Sequence, residues 1–326
     1  MHESSVKDHL ASRSQRNSEN EGDHPYAGKT LPSAELFGIG DMHKLEEWLT
    51  SLEERDEPPT PEHKAFLETI LRRLAVEARS EQARATQEED GEPLFHMVHG
   101  VPGAGKSKLI QWLREAFQQV LGWVHGVQFV CLAFQNAASA LIDGYTIHHW
   151  SGIPVGDAGG TSTTRDAHKL STKCQCLRFI LIDEISMVSA QLLGQLEIAV
   201  SKVVRRRSLY KLRPDGTSRP FGGVNTLLFG DWWQLKPVGS TALFADPATA
   251  SGGVTSHGLQ LVWGRASRCS SPLLGFYDVA AMWRPMIQHS LGPVPTRKTG
   301  SRGVPVPEWF PHIIASFARH QKGLRK

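Results

Sequence analysis

Three short segments of the sequence combine residue types that handle phosphate and water. The first, residues 100–107, reads Gly-Val-Pro-Gly-Ala-Gly-Lys-Ser and fits the pattern G-x-x-x-x-G-K-S/T. Glycines let backbone N–H groups turn inward around phosphate oxygens, and the N-terminus of a following helix adds its positive dipole end. The segment therefore predicts a phosphate-binding loop for a nucleotide. The expected nucleotide-binding residues are Gly100, Gly103, Ala104, Gly105, Lys106 and Ser107.

Two residues of this loop have expected chemical roles of their own. Lys106 is expected to reach the β and γ phosphates and to take part in catalysis, and Ser107 is expected to be a ligand of Mg²⁺. The ordinary alternative is a chance glycine-rich turn, but an apolar strand is predicted before the loop and an amphipathic helix after it. ATP and Mg²⁺ are therefore the cofactors that the sequence predicts.

The second segment, residues 179–184, is an apolar strand that ends in two carboxylates. Open α/β sheets bind their ligands at the C-terminal ends of the strands. Asp183 is expected to hold Mg²⁺, directly or through water, and Glu184 to orient and polarise the attacking water. The alternative is an acidic strand end that faces solvent. The pair predicts a nucleoside triphosphate hydrolase.

The third segment, residues 229–238, also follows an apolar run and contains G-D-x-x-Q-L-x-P-V. It resembles the third motif of superfamily 1B helicases. Residues 220–225 resemble the segment leading into that motif in PIF-type (petite integration frequency) DNA helicases, of the RecD-like branch, and residues 183–188 resemble the family's second motif. The resemblance implies that Gln234 senses the γ-phosphate and couples it to DNA. The family's signature between these motifs corresponds to Leu196, Glu197 and the basic run 205–207.

Residues 133–148 have the spacing of the family's DNA-contacting segments. The resemblance implies contacts to single-stranded DNA, made through amide, hydroxyl and imidazole groups. Thr146 and His148 agree with the family, whereas Phe-Gln-Asn stands where the family usually has Pro-Thr-Gly. The expected DNA-binding residues are Gln135, Asn136, Thr146 and His148. Trp150 is available for base stacking, although core packing is the interpretation we favour for Trp150, Trp232 and Trp233.

The family opens with a threonine followed by a glutamine that recognises adenine. Here the stretch from Thr60 places His63 at that position. Adenine specificity is therefore a weaker expectation than phosphate binding.

These segments can act together only if the fold places them at the same edge of a sheet. Beyond Pro61, apolar residues recur at helical spacing and predict a helix; they are Phe66, Leu67, Ile70, Leu71 and Leu74. Short apolar runs then alternate with amphipathic ones, which is typical of a parallel sheet covered by helices. Strands are predicted at 94–99, 127–133, 179–183 and 224–230, and helices at 106–120, 136–142 and 190–204. The expected fold is α/β, a P-loop NTPase with a RecA-like domain.

The composition is that of an ordinary globular chain. It has 326 residues, 40% hydrophobic and 21% charged, and its apolar runs are shorter than the roughly 18 residues of a membrane span. The first thirty residues are polar and lack the apolar region of a secretory signal, so an intracellular protein is expected. Four cysteines are too few for a disulfide scaffold, and we interpret them as reduced thiols.

We expect three regions along the chain. Residues 1–59 are expected to be a disordered leader, 60–263 the RecA-like ATPase domain, and 264–326 a basic tail with ten basic and two acidic residues. Within the domain, the outer half of the acidic run 77–92 is expected to be a solvated linker, and 154–176 a surface excursion. The later helicase motifs are not found after residue 264. The second helicase domain is therefore expected to be missing, as in a fragment, a truncated form or a chain whose ATP site a partner chain completes.

The resemblance implies an ATP-dependent DNA helicase that couples hydrolysis to single-stranded DNA binding and duplex unwinding. The implied roles are DNA repair, recombination, telomere or genome maintenance, in a nucleus or a mitochondrion. Expected partners are ATP, single-stranded DNA and duplex junctions, and no membrane. Two alternatives stay open: a non-catalytic nucleotide and nucleic-acid-binding module derived from such a helicase, and an unrelated P-loop ATPase. The four residues Lys106, Asp183, Glu184 and Gln234 argue against the first, because binding alone does not need all four.

Overall fold

The computed structural model describes residues 42–83, 92–100, 102–155, 164–204, 215–231, 234–245 and 253–268, together with positions 39, 213 and 250. Within these residues the strands are β1 (Phe95–His99), β2 (Phe129–Ala133), β3 (Tyr145–Thr146), β4 (Phe179–Asp183) and β5 (Asn225–Gly230). They form one sheet in the order β1-β5-β4-β2-β3. Every neighbouring pair is parallel, so all the strands end at the same edge.

Helices cover both faces of this sheet. Those described are α1 (Met42–Ser51), α2 (Pro61–Ala83), α3 (Lys106–Glu115), α4 (Asn136–Leu141), α5 (Ile147–Ser151), α6 (Thr164–Lys173), α7 (Ala190–Val203) and α8 (Gly253–Arg268). Side chains alternate between the two faces along a strand. In β4, Phe179 and Leu181 pack in a cluster with residues of α1, α2 and α3, whereas Ile180 and Ile182 pack with residues of α5 to α8.

The predicted fold class is confirmed. The strands predicted in the four apolar runs form, and the helices predicted after Pro61, Lys106, Asn136 and Ala190 begin at those residues. All five residues of β4 are buried because helices cover the sheet on both sides, which explains why the strand reads as a continuous apolar run.

The prediction of a disordered leader up to residue 59 is wrong for residues 42–54, which form α1 and a 3₁₀ turn. Leu45 and Leu52 are fully buried, and the indole of Trp48 donates a hydrogen bond of 2.8 Å to Glu115. Three apolar residues at helical spacing are enough here, because α2 and the π-turn Ala116–Val120 supply a surface to pack on. Residues 1–38 lie outside the described part of the chain.

The surface excursion predicted for 154–176 is wrong from residue 164 onward. α6 forms there, and Leu170, Cys174 and Cys176 are buried. The ammonium of Lys173 donates a hydrogen bond of 3.0 Å to the carbonyl of Trp150. Leu170, the one buried residue described within α6, therefore packs this otherwise polar helix against the core. Residues 156–163 are not described.

A buried polar network lies at the opposite edge of the sheet, where the strands begin. The carboxylate of Glu77, on the last turns of α2, accepts hydrogen bonds from Arg73 at 3.1 Å, Arg178 at 2.9 Å and Asn225 at 2.7 Å. All four side chains are buried. The first residue of the acidic run 77–92 thus joins α2 to the starts of β4 and β5. The outer half of the run, predicted to be a solvated linker, lies largely outside the described residues, which omit 84–91.

Three cysteines, Cys131, Cys174 and Cys176, are buried free thiols, as predicted. Burial raises the pKa of Cys131 to about 12. Cys269 lies in the undescribed tail. None of the described helices is both long and apolar enough to cross a membrane.

The last described helix, α8, packs on α7 by backbone contact. A Cβ atom on Gly258 would lie 1.8 Å from the carbonyl oxygen of Ala190, and one on Gly194 would lie 2.4 Å from that of Val254. α8 runs through the predicted boundary at residue 263 to Arg268, and residues 269–326 are not described. From Ile39 onward, the described residues belong to a single compact unit.

Candidate nucleotide-binding site

Three chemistry-bearing segments follow three adjacent strands at their carboxyl ends. The loop 100–107 follows β1, Asp183 ends β4 with Glu184 directly after it, and Gln234 lies shortly after β5. Because β5 lies between β1 and β4, the segment of Gln234 emerges between the loop and the carboxylates. Ligands of open α/β sheets bind at this edge.

The loop has the backbone conformation that its glycines make accessible. Gly103 and Gly105 both have φ of +84°, in the left-handed region that other residues rarely adopt. The ammonium of Lys106 lies over the loop and donates a hydrogen bond of 2.5 Å to the carbonyl of Gly100. The N–H of Gly100 donates to the carbonyl of Gly230 at 3.2 Å, which ties the loop to the end of β5. Val101 is not described.

Ser107 and Asp183 are the two residues predicted to hold Mg²⁺. The Ser107 side chain is exposed in the first turn of α3, and Asp183 is 6% exposed at the end of β4. Burial raises the pKa of Asp183 to about 6; the hydrogen bond from the Glu184 N–H opposes the rise, the charge of Glu184 adds to it, and Lys106 opposes it. A hydroxyl and a carboxylate are oxygen ligands that Mg²⁺ accepts, with phosphates and water completing its shell.

Glu184 has an unusual backbone for its residue type. Its φ and ψ are 51° and 46°, in the left-handed region, where a residue other than glycine is strained. Its N–H donates to the Asp183 carboxylate at 2.9 Å, and its carbonyl accepts from Met187 at 3.0 Å. Its side chain is half-buried whereas that of Asp183 is buried, so Glu184 is the more accessible to water.

Gln234 lies in a turn anchored by Asp231. The N–H of Gln234 donates to the carbonyl of Asp231 at 3.1 Å. The Asp231 carboxylate lies 3.3 Å from Nε2 of His99, and the two side chains are 2% and 8% exposed. Sequence reasoning missed His99; the available signal was a histidine that ends an apolar strand directly before the loop. Trp232 and Trp233 lie outside the described residues.

The pKa of His99 is lowered. Burial is the main cause, Lys106 lowers it further, and Asp231 acts in the opposite direction. The neutral imidazole is therefore favoured beside the phosphate-binding loop.

The predicted DNA-binding residues lie on the other half of the same edge. Gln135 and Asn136 are exposed at the start of α4, which follows β2. Thr146 ends β3 and caps α5, since its hydroxyl accepts a hydrogen bond of 3.2 Å from the N–H of His149. Nδ1 of His148 lies 2.9 Å from the carbonyl of Ile153. The strand order thus places Gln135 and Asn136 after the strand next to the carboxylates and Thr146 and His148 one strand further, with all four on the side away from the loop.

Trp150 packs in the core with 2% of its surface exposed, so core packing, the interpretation we favoured over base stacking, is confirmed.

Glu197 has a structural role. Its carboxylate accepts hydrogen bonds from the Ser201 hydroxyl at 2.7 Å and the Phe221 N–H at 3.0 Å, and it lies 2.7 Å from Nε2 of His257. It joins α7 to α8 and to the turn before β5, whereas the basic run 205–207 is not described.

The sheet, the glycine-rich loop after β1 and the carboxylates after β4 define a P-loop nucleoside triphosphatase fold of the RecA-like class. Comparison with protein-family models gives a match to the PIF1-like helicase family over residues 77–255, just over half of the chain. The chain therefore belongs to the PIF1-like helicase family, which confirms the resemblance inferred from its motifs.

Two relatives illustrate the extent of the likeness. The chain is 31% identical over 154 residues to the ATP-dependent DNA helicase PIF1 of Saccharomyces cerevisiae, covering 46% of this chain and 16% of the relative. It is 32% identical over 171 residues to the ATP-dependent DNA helicase Pif1 of Bdellovibrio bacteriovorus, covering 51% and 34%. The solved Bacteroides Pif1 helicase in complex with ADP-AlF3 and ssDNA is 24% identical, with a TM-score of 0.37, and overlaps 56% of this chain and 34% of its own. The chain thus spans about a third or less of these proteins.

Proposed function

We propose that this chain is the ATP-hydrolysing first RecA-like domain of a PIF-type ATP-dependent DNA helicase. The observation that carries the proposal is the division of the carboxyl edge by the strand order. Nucleotide-handling residues follow β1, β5 and β4, and the candidate DNA-contacting residues follow β2 and β3. Both ligands would then bind side by side at one edge of the sheet, which would allow hydrolysis to be coupled to DNA binding.

On the nucleotide half, each residue has a distinct task. The loop N–H groups and Lys106 would hold the phosphates, and Ser107 and Asp183 would hold Mg²⁺, which supplies positive charge to the β and γ phosphates when bound. Glu184, more accessible than Asp183, would orient the attacking water. Gln234 would respond to the γ-phosphate from the neighbouring turn.

On the DNA half, the exposed amides of Gln135 and Asn136 stand at a helix N-terminus, which favours phosphate. Thr146 and His148 lie at the next strand end. A contact of this kind to single-stranded DNA, including duplex junctions, would be largely electrostatic and would weaken as salt increases. The intact set of Lys106, Asp183, Glu184 and Gln234 favours this function over a non-catalytic binding module.

Unwinding is proposed for the assembly and not for one domain. Translocation needs two domains that close around ATP, and arginines from the second can be worth roughly 10³ to 10⁵ in rate in related phosphoryl-transfer systems. We propose that the described domain contributes to unwinding together with such a second domain. Action on genomic DNA, in repair, recombination or telomere maintenance, would place the protein in a nucleus or a mitochondrion.

The test measures stabilisation by nucleotide. Mg·ATP at 100 times its Kd should stabilise the folded chain by about 2.7 kcal/mol, and chelation of Mg²⁺ should reduce the effect. Lys106→Ala should abolish the shift in melting temperature. Lys108→Ala is the matched control, because Lys108 lies on the same helix but pairs with Glu57 at 2.9 Å. Equal shifts in melting temperature for the wild type, Lys106→Ala and Lys108→Ala would show that the loop does not bind the nucleotide.

A further inference from the structure

His63, in the first turn of α2, lies directly against the phosphate-binding loop. Its Nε2 is 3.0 Å from the carbonyl oxygen of Ala104. A Cβ atom added to Gly105 would lie 2.6 Å from Cε1 of the ring, so the ring and the loop backbone are in close contact. The ring also meets Trp112 edge-on, with centroids 5.7 Å apart. Residues 41 positions apart in sequence are thus packed together at the nucleotide site.

Both ring nitrogens of His63 are engaged by the protein. Nδ1 lies 3.4 Å from the backbone N of Thr60, whose N–H donates to it. With Nδ1 accepting, the ring proton is assigned to Nε2, which donates to the Ala104 carbonyl. No nitrogen of this tautomer is left to hydrogen-bond a nucleotide base.

The contact orients a donor of the loop. None of the described residues has a cis peptide bond, and in a planar trans peptide the C=O and the following N–H point in opposite directions. Holding the Ala104 carbonyl toward α2 therefore makes the Gly105 N–H point away from His63. Gly105 directly precedes Lys106, and the backbone N–H groups of such loops are the ones that bind phosphate.

We propose that His63 is a positioning residue of the phosphate-binding loop, which orients the Gly105 N–H through the Ala104 carbonyl and does not read the base. The inference rests on the proposed nucleotide binding and gives His63 a role in binding the phosphates of the nucleotide. Loss of the His63 side chain should weaken the binding of all nucleoside triphosphates by the same factor. A base-reading residue would instead discriminate between them.

Two substitutions separate the contacts of the ring. The amide of His63→Gln corresponds in position to Nε2 and should donate to the Ala104 carbonyl, whereas His63→Asn is one methylene shorter, so its amide should lie near the Thr60 N–H and fall short of that carbonyl. The Kd values of Mg·ATP and Mg·GTP are measured by titration for the whole chain. His63→Gln should stay within about twofold of the wild type, and His63→Asn should bind both nucleotides about three- to tenfold more weakly, the effect of one net hydrogen bond.

Controls exclude a merely structural role. Thr60→Ala removes the hydroxyl that accepts a 3.3 Å bond from the His63 N–H, so it should lower the melting temperature without changing either Kd. If His63→Asn fails to fold, His63→Ala replaces it, because it also leaves the Ala104 carbonyl without the side-chain donor.

Each other outcome is decisive. Equal affinities in the Gln and Asn variants, or a loss confined to ATP, would overturn the inference alone. Absence of nucleotide binding by the wild type would overturn the proposed function and the inference with it.

Discussion

Nε2 of His99 lies 3.3 Å from the carboxylate of Asp231, across the ends of the adjacent strands β1 and β5. The phosphate-binding loop begins directly after His99, and Asp231 anchors the turn of Gln234 through a 3.1 Å backbone hydrogen bond. The same strand ends are also joined by the bond from Gly100 to Gly230. The loop and the turn of Gln234 are therefore tied together by contacts between the two strand ends.

His99→Leu should show what this pair contributes. Burying Asp231 without the imidazole should lower the free energy of unfolding by about 1–3 kcal/mol, because a hydrogen-bonding group is lost beside a buried carboxylate. The measurement is urea denaturation at pH 7. His43→Leu, at an exposed position, should change it by less than about 0.5 kcal/mol. An equal effect of the two substitutions would contradict a role for the pair.

Glu184→Gln should separate binding from hydrolysis. The amide cannot polarise water as a carboxylate does, so phosphate release should fall by about 10² to 10⁴, while Asp183 still supports Mg·ATP binding. Glu68→Gln, an exposed change on α2, should leave the rate unaltered. Equal turnover by the Glu184 variant and the wild type would exclude this residue as the water-orienting group.

Glu184→Gly should show that the strained backbone at this position is tolerated because the Glu184 side chain is needed for hydrolysis. Glycine adopts a φ of 51° without penalty, so the variant should gain up to about 1 kcal/mol in unfolding free energy and still lose hydrolysis. Calorimetric melting together with phosphate release tests both halves. If Glu184→Gly is less stable than Glu184→Gln, the backbone of Glu184 is not strained in the folded state.

His125 should make the fold sensitive to acid. Burial and Arg114 lower its pKa from 6.5 to about 4, and its Nε2 accepts a hydrogen bond of 3.0 Å from the N–H of Cys131, so the folded state needs the neutral ring. Since the unfolded state binds the proton first, stability is present above about pH 6.5 and decreases as the pH falls toward about 4, by about 3 kcal/mol in all. Urea denaturation between pH 7 and pH 4.5 should give a flatter profile for His125→Gln. Parallel profiles would refute the assignment.

The buried network around Glu77 should dominate stability at the far edge of the sheet. Glu77→Gln removes the negative charge that Arg73 and Arg178 both contact, and breaking a buried pair in this way costs about 3–5 kcal/mol. Glu57→Gln is the matched control, because the carboxylate of Glu57 pairs with Lys108 at 2.9 Å but is 79% exposed, and it should change the free energy of unfolding far less. Similar losses would argue against burial as the cause.

The sheet and the main site were predictable because their signals are local. Each central strand is a continuous apolar run, and the loop and Asp183-Glu184 lie next to such runs in sequence. α1 and α6 were missed because each presents few apolar residues among polar ones, and only the surface they pack on makes them helices. The contacts of His63 with Ala104 and of His99 with Asp231 join distant segments, so no spacing rule could reveal them.

The backbone contact between Gly194 and Gly258 also determines where this module can be cut or joined. α8 fits α7 by shape, and Leu259, Leu261 and Val262 close the core beneath it. A gene fusion, exon junction or protease cleavage before residue 262 would therefore expose the interior. A junction after Arg268, where the described helix ends, would leave that interior sealed.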